Sequence, residues 1–74
     1  MAIADHTVLE PVRAIALREG VIDFKGEGET PDGEALGQLR LRSSGVPVYP
    51  DGRWVTLAEA RKLARHFGVE LVES

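Results

Sequence analysis

Apolar residues recur at intervals of three and four positions near the C-terminal end of the chain. This spacing places them on one face of an amphipathic helix. Thr56 and Glu59 match a capping box, which satisfies backbone N–H groups at a helix start, and Gly68 supplies the usual end. The sequence therefore predicts a helix over about 57–67. Its apolar positions are Leu57, Ala60, Leu63, Ala64 and Phe67.

Short segments that alternate with a period of two, or that are rich in β-branched residues, predict strands. The segment 21–25 alternates Ile22 and Phe24 with other residues, and 39–42 alternates Leu with Arg. The segment 69–72 follows the predicted helix and is rich in Val. These three segments are therefore expected to form strands of one small sheet.

A turn signal at Pro50-Asp51-Gly52 separates two further β-prone segments, 46–49 and 53–56. Pro presets one turn dihedral and Gly accepts a positive φ, so this pattern predicts a β-hairpin. Pro47 has no N–H to donate to a neighbouring strand, which favours an edge position for the first of these strands.

The N-terminal segment fits either a helix or a strand. Apolar residues follow helical spacing from Val8 to Ala16, whereas 12–17 also fits a strand. Pro11 near a first turn and Gly20 at the end favour the helix.

The segment 26–34 is rich in Gly and acidic residues, and it predicts a mobile acidic loop. No internal repeat marks a second domain, so we expect residues 1–74 to form one domain. Together the elements predict an α+β fold. It comprises a small antiparallel sheet of three to four strands, an N-terminal helix, and the capped helix packed on one face of the sheet.

Composition excludes several kinds of chemistry. The chain has no Cys, so disulfides, thiolate nucleophiles and Cys-ligated metals are absent. Its net charge of -3 provides no general attraction for polyanions. No apolar run approaches the roughly 20 residues that a membrane-spanning helix needs. No export signal is evident, and we expect a cytoplasmic protein.

Metal and catalytic sites are also weakly supported. Carboxylates within 23–34 have part of the spacing of a calcium loop, but Lys25 stands where an oxygen ligand is required, so we predict no metal. The imidazole and Ser hydroxyl side chains follow no catalytic motif, and we predict neither an enzyme nor a cofactor. Those side chains are His6, His66, Ser43, Ser44 and Ser74.

Charge is segregated along the chain. Residues 39–68 contain six basic and two acidic side chains, whereas 1–38 contain three basic and eight acidic ones. Basic residues opposite the apolar helix face, together with two on one face of a strand, form a candidate partner-binding surface. Alternatively, they only complement the helix dipole and remain solvated. The candidate residues are Arg40, Arg42, Arg61, Lys62 and Arg65.

The aromatic residues Trp54 and Tyr49 lie beside the predicted turn. A lone Trp in a small domain usually fills the core, so we expect Trp54 to be buried, with interface anchoring as its less common use. Tyr49 fits either position.

The segment 54–69, WVTLAEARKLARHFGV, resembles the opening helix of excisionase-like and MerR-like winged-helix DNA-binding proteins. Those proteins begin with a similar Trp-Val-Thr or Trp-Leu-Thr phrase, and a turn and a recognition helix follow their Gly-Val pair. Here the short segment 70–74 follows instead, and no functional residue is carried over.

These features predict a small non-enzymatic interaction module that binds a protein partner, such as a regulator, inhibitor or adaptor of phage or bacterial origin. Its binding surface is the basic set, the acidic loop or the strand edge 46–49. Two alternatives remain open. One is a dimeric DNA-binding accessory protein, in which a homodimer aligns two basic surfaces, and the other is a small structural subunit of a larger assembly such as a phage particle.

Overall fold

A computed structural model describes residues 8–73, and its element order confirms the α+β fold. Two helices and four strands form two layers. His6 and Ser74 lie outside the described residues. The elements are α1 (Glu10–Glu19), β1 (Val21–Glu29), β2 (Ala35–Leu41), β3 (Val55–Thr56), α2 (Leu57–Phe67) and β4 (Glu70–Glu73).

Helix α1 confirms the helical interpretation of the N-terminal segment. Pro11 lies in the first turn, where its missing N–H is not needed by the helix. Gly20 ends the helix in the left-handed region at φ 74°, and its N–H donates to the carbonyl oxygen of Ala16. The alternative of a strand over 12–17 was wrong because these local start and stop signals dominate.

Helix α2 begins with the predicted capping box. The N–H of Glu59 donates to Oγ1 of Thr56 at 3.2 Å, and the N–H of Thr56 donates to Oε1 of Glu59 at 2.9 Å. Gly68 then ends the helix at φ 77°. Both ends of this helix are therefore determined by residues within or next to it.

The sheet has the strand order β3-β2-β1-β4. Strands β1 and β2 pair antiparallel, as do β2 and β3, in agreement with the expected antiparallel sheet. Strand β4 pairs parallel to β1, with Ile22 opposite Leu71. The sheet is therefore mixed, whereas an antiparallel sheet was expected. The helix α2 carries the chain back along the sheet, so that β4 runs in the same direction as β3 and β1.

The predicted loop at 26–34 is shorter than expected. Strand β1 continues to Glu29, which pairs with Ala35, and only the turn between these residues lies outside the ladder. The register shifts between Gly26 and Gly28, leaving Glu27 as the extra residue of a β-bulge. Glycines permit the close backbone approach that this long hairpin requires.

The predicted hairpin around Pro50-Asp51-Gly52 was wrong. Its two segments pair with β2 and not with each other: Pro47 bridges to Arg40, and Val55 pairs with Gly37. Residues 49–54 therefore form an edge loop that departs from β2 and returns to it. The reason is the core, because segments placed along β2 bury Val48, Tyr49 and Val55.

One face of the sheet carries the core. Alternate residues of β1 and β2 point toward the helices and are buried, and they contact apolar residues of both helices in a single cluster. Their neighbours point to the opposite side, which neither helix covers; we call this the outer face. The buried sheet residues are Ile22, Phe24, Gly37, Leu39, Leu41 and Val55.

Candidate functional site

The five predicted basic residues lie on two opposite sides of the domain. Arg61, Lys62 and Arg65 are exposed on α2, on the side of the helix away from its buried residues. Arg40 and Arg42 alternate with the buried Leu residues of β2 and therefore belong to the outer face and its margin. The structure does not bring the two groups together.

Part of this basic set is neutralised by neighbouring carboxylates. Arg42 pairs with Asp23 at 3.0 Å, and Arg61 pairs with Glu73 at 3.2 Å. Among the described residues, Lys62 and Arg65 form no ion pair. Exposed pairs of this kind contribute at most about 1 kcal/mol each, so these contacts reduce local charge more than they stabilise the fold.

The acidic segment at 26–34 has a structural role at one residue. Oε2 of Glu34 accepts from the N–H of Ala58 at 3.2 Å, in the first turn of α2, where a negative charge complements the helix dipole. Glu34 thus connects the turn to α2. Within the same turn, the hydroxyl of Thr30 donates to Asp32, and this hydrogen bond lowers the pKa of the Asp32 carboxyl.

Of the two aromatic residues beside the turn, Trp54 is exposed, contrary to expectation, and Tyr49 is buried. The exposed fraction is 47% for Trp54 and 4% for Tyr49. Val55 takes the inward position at the start of β3, and the alternation of a strand then turns Trp54 to the other side. The signal that sequence analysis missed is the apolar Val55 directly after Trp54. Neighbouring residues of a strand point to opposite sides, so both cannot face the core.

The indole of Trp54 lies over the outer face. A Cβ built at Gly28 would lie 3.7 Å from its Cζ3 atom, and Gly28 belongs to β1, two strands away from β3. The ring therefore reaches across β2 to β1. Leu36, which pairs with both Gly28 and Thr56, is half-buried and adds apolar surface at this end of the face.

The edge loop that presents Trp54 is held at several points. Gln38 donates from Nε2 to the carbonyl oxygen of Gly52 at 2.8 Å, and the N–H of Gly52 donates to the carbonyl oxygen of Tyr49 at 2.9 Å. The guanidinium of Arg53 lies 4.8 Å from the centre of the Tyr49 ring, within the range of a cation–π contact. These contacts restrain the backbone on the N-terminal side of Trp54.

Asp51 completes the anchoring of the edge loop. Its Oδ1 atom accepts from the backbone N–H of Arg53 at 3.1 Å, and its carboxylate also pairs with the Arg53 side chain. The backbone N–H contributes most to lowering the pKa of the Asp51 carboxyl, followed by the Arg53 side chain. The ionised form of Asp51 therefore stabilises the turn immediately before Trp54.

Two cations on the outer face form no ion pair with a described carboxylate, although Asp23, which pairs with Arg42, lies opposite Arg40 on β1. Nε of Arg40 donates to Oε1 of Gln38 at 2.7 Å, and no described carboxylate forms an ion pair with Arg40 or Lys25. Lys25 is exposed and lies opposite Gln38 on β1. The outer face thus combines an apolar end with a cationic middle. Its residues are Val21, Asp23, Lys25, Gly28, Leu36, Gln38, Arg40, Trp54, Thr56, Glu70 and Val72.

Other kinds of site receive no support within residues 8–73. No group of three or more His, Asp and Glu side chains in that range is arranged to hold a metal ion. The longer of the two helices has 11 residues, and neither could cross a membrane. In comparisons with known proteins, no family model, no curated protein and no solved structure matches the chain.

Proposed function

We propose that this chain is a small non-enzymatic interaction module that binds a protein partner through its outer face, with Trp54 as the anchor. The observation that carries the proposal is the exposure of the only Trp in the chain, at 47%, on the sheet face that neither helix covers. Trp, Tyr and Arg dominate the residues whose truncation weakens protein interfaces most.

The anchoring of Trp54 supports the same proposal energetically. Binding costs conformational entropy for each side chain that must be ordered, so a residue held in place beforehand contributes more to affinity. The hydrogen bond from Gln38 to Gly52 and the turn formed by Asp51 hold the loop immediately before Trp54. A mobile Trp on a flexible loop would lose more conformational entropy on binding and would therefore contribute less to affinity.

The basic residues of α2 give weaker support to a dimeric DNA-binding accessory protein. Lys62 and Arg65 are exposed, but Arg40 and Arg42 lie on the opposite side of the domain. Affinity for duplex DNA depends on the number of phosphates contacted together, and a divided set contacts fewer. DNA binding and assembly into a larger particle therefore remain as outcomes of the test.

Affinity capture with matched variants tests the proposal. The tagged chain, Trp54→Ala and Leu17→Ala are each incubated with a lysate of the cells that make the protein. Leu17 is the control because it is 43% exposed, close to the exposure of Trp54, but lies on α1 in the helical layer. The captured protein is then purified and titrated against each variant by calorimetry.

We expect the same partner to bind the unmodified chain and Leu17→Ala, and to bind Trp54→Ala about tenfold more weakly or less. Equal binding by all three proteins would overturn the use of the outer face. Salt-sensitive binding of duplex DNA that depends on Lys62 and Arg65 would favour the DNA-binding alternative. Self-association alone, detected by light scattering, would favour the structural subunit.

A further inference from the structure

We infer that the outer face binds an extended segment of its partner that presents a large apolar side chain and, two to four residues away, a carboxylate. This inference rests on the proposed function and specifies the chemistry of the partner. Three features of the outer face support it: an apolar end, cations that form no ion pair with a described carboxylate, and the spacing between them.

The apolar end of the outer face accepts the large side chain. Trp54 lies over Gly28, where an added Cβ would lie 3.7 Å from Cζ3 of the ring, and Leu36 is half-buried beside it. An aromatic and an aliphatic side chain on a sheet face that neither helix covers form the kind of patch that a partner's apolar residue buries. Thr56 borders the patch on β3.

The cations of the outer face select for a carboxylate. Arg42 already neutralises Asp23, whereas Lys25 and Arg40 form no ion pair with a described carboxylate. These two cations are therefore the part of the face that an incoming acid complements. The bond from Arg40 to Gln38 also directs the Arg40 side chain along β2, toward the end that carries Leu36.

The distances from Leu36 to the two cations determine how far the partner's carboxylate lies from its apolar side chain. Lys25 is level with Gln38, two positions along β2 from Leu36, and Arg40 is four positions from Leu36. At a rise of about 3.3 Å per residue these separations are roughly 7 and 13 Å. An extended segment along β2 has the same repeat, so its carboxylate lies two to four residues from its apolar side chain.

The same charges favour a polypeptide over a single-stranded nucleic acid. Glu27, the extra residue of the β-bulge, lies next to Gly28 at the end of the face where Trp54 lies, and Asp23 lies on the face itself. A nucleic acid that stacks a base on Trp54 and runs along the face brings a phosphate at every nucleotide near these carboxylates, which repel it. A polypeptide places its negative charge only where Lys25 and Arg40 receive it.

A display library of random twelve-residue peptides tests this inference while the natural partner is still unidentified. The library is selected on the immobilised chain, and individual peptides are then titrated by fluorescence anisotropy. Two double variants of equal net charge are compared. Lys25→Gln with Arg40→Gln removes the outer-face cations, and Lys62→Gln with Arg65→Gln removes two exposed cations from α2. Circular dichroism checks that each variant is folded.

We expect enriched peptides to contain a large apolar residue with Asp or Glu two to four positions away. Trp54→Ala should weaken their binding about tenfold. The outer-face double variant should weaken it about threefold or more and remove the preference for the acid, while the α2 double variant should have little effect.

The outcomes separate this inference from the proposed function. Peptides that need Trp54 but show no preference for an acid would overturn the inference and leave the proposed function intact. Selection of peptides that ignore Trp54 would overturn both. Tighter, Trp54-dependent binding of a labelled oligothymidine than of any selected peptide would replace the polypeptide with single-stranded nucleic acid.

Discussion

Gln38 on β2 and Gly52 in the edge loop are joined by a hydrogen bond of 2.8 Å from the Gln38 amide to the Gly52 carbonyl. The same Gln38 side chain accepts from Arg40 at 2.7 Å. A single outer-face residue therefore connects the cationic middle of the sheet to the loop that carries Trp54. This bond holds together the two halves of the proposed binding surface.

Replacing Gln38 should loosen the edge loop while the fold persists. Gln38→Leu removes the donor to Gly52, and we expect a loss of about 1 kcal/mol in the free energy of unfolding. Faster hydrogen exchange at residues 52–54 and lower fluorescence anisotropy of Trp54 would report the loosening. Lys25→Met, across the ladder from Gln38, is the control and should leave both signals unchanged. Unaltered exchange in Gln38→Leu would show that the bond does not restrain the loop.

The two aromatic residues beside the turn should contribute unequally to stability. Tyr49→Ala empties a buried position and should lower the free energy of unfolding by about 3 kcal/mol or more. Trp54→Ala removes a side chain that is 47% exposed and outside the core, and should lower it by about 1 to 2 kcal/mol. Urea unfolding of both variants provides the comparison. A larger loss for Trp54→Ala would mean that Trp54 is primarily a core residue.

Gly37 should tolerate no side chain. A Cβ at Gly37 would lie 2.8 Å from the carbonyl carbon of Lys25 and 2.9 Å from Cα of Gly26, so the backbone of β1 would have to move. We expect Gly37→Ala to cost about 2 kcal/mol or more. Gly28→Ala is the matched control on the same hairpin, because its Cβ meets only the Trp54 ring at 3.7 Å. Thermal unfolding of both variants should show a large decrease only for Gly37→Ala.

The edge loop should be less stable at low pH, because protonation of Asp51 weakens its bonds to Arg53. Because its pKa is lowered in the folded chain from the ordinary value of 3.8, the ionised carboxylate stabilises the turn fully above that value. The stabilisation is lost as the pH falls through the lower folded value. We expect Trp54 fluorescence to change with a midpoint below 3.8. Asp51→Asn should lack this transition, and a transition of the same midpoint in Asp51→Asn would assign it to other groups.

The helices were predictable because their signals are local. Thr56 and Glu59 bond to each other, and Gly20 and Gly68 end the helices that immediately precede them. The hairpin prediction failed because the two segments beside the turn pair with β2 and not with each other, and a local turn signal does not show which strand a segment pairs with. Nothing near Pro50 indicates that residues 46–48 pair with β2, since that choice depends on the buried sites that Val48 and Tyr49 occupy.

The candidate site was predicted only in part, for a related reason. Periodicity identified the exposed side of α2, and Arg61, Lys62 and Arg65 are exposed there. Periodicity shows which residues share a face of one helix or strand, but not how that face is oriented relative to another element. The sequence pattern therefore groups Arg40 with residues of α2, although the two lie in opposite layers. The exposure of Trp54 depends on the inward position of Val55, which pairing with Gly37 establishes. Whether any of these residues binds a partner stays a prediction.

The alternation along β2 divides the chain into two sets of positions that can be changed independently. Gly37, Leu39 and Leu41 hold the layers together, whereas the residues between them point to the outer face, where Gln38 also holds the edge loop. Exchanging Leu36 and Arg40 for other side chains should therefore alter the proposed recognition without rebuilding the interior. The domain is consequently a suitable scaffold for protein engineers who wish to install new specificities on a sheet surface of a chain of only 74 residues.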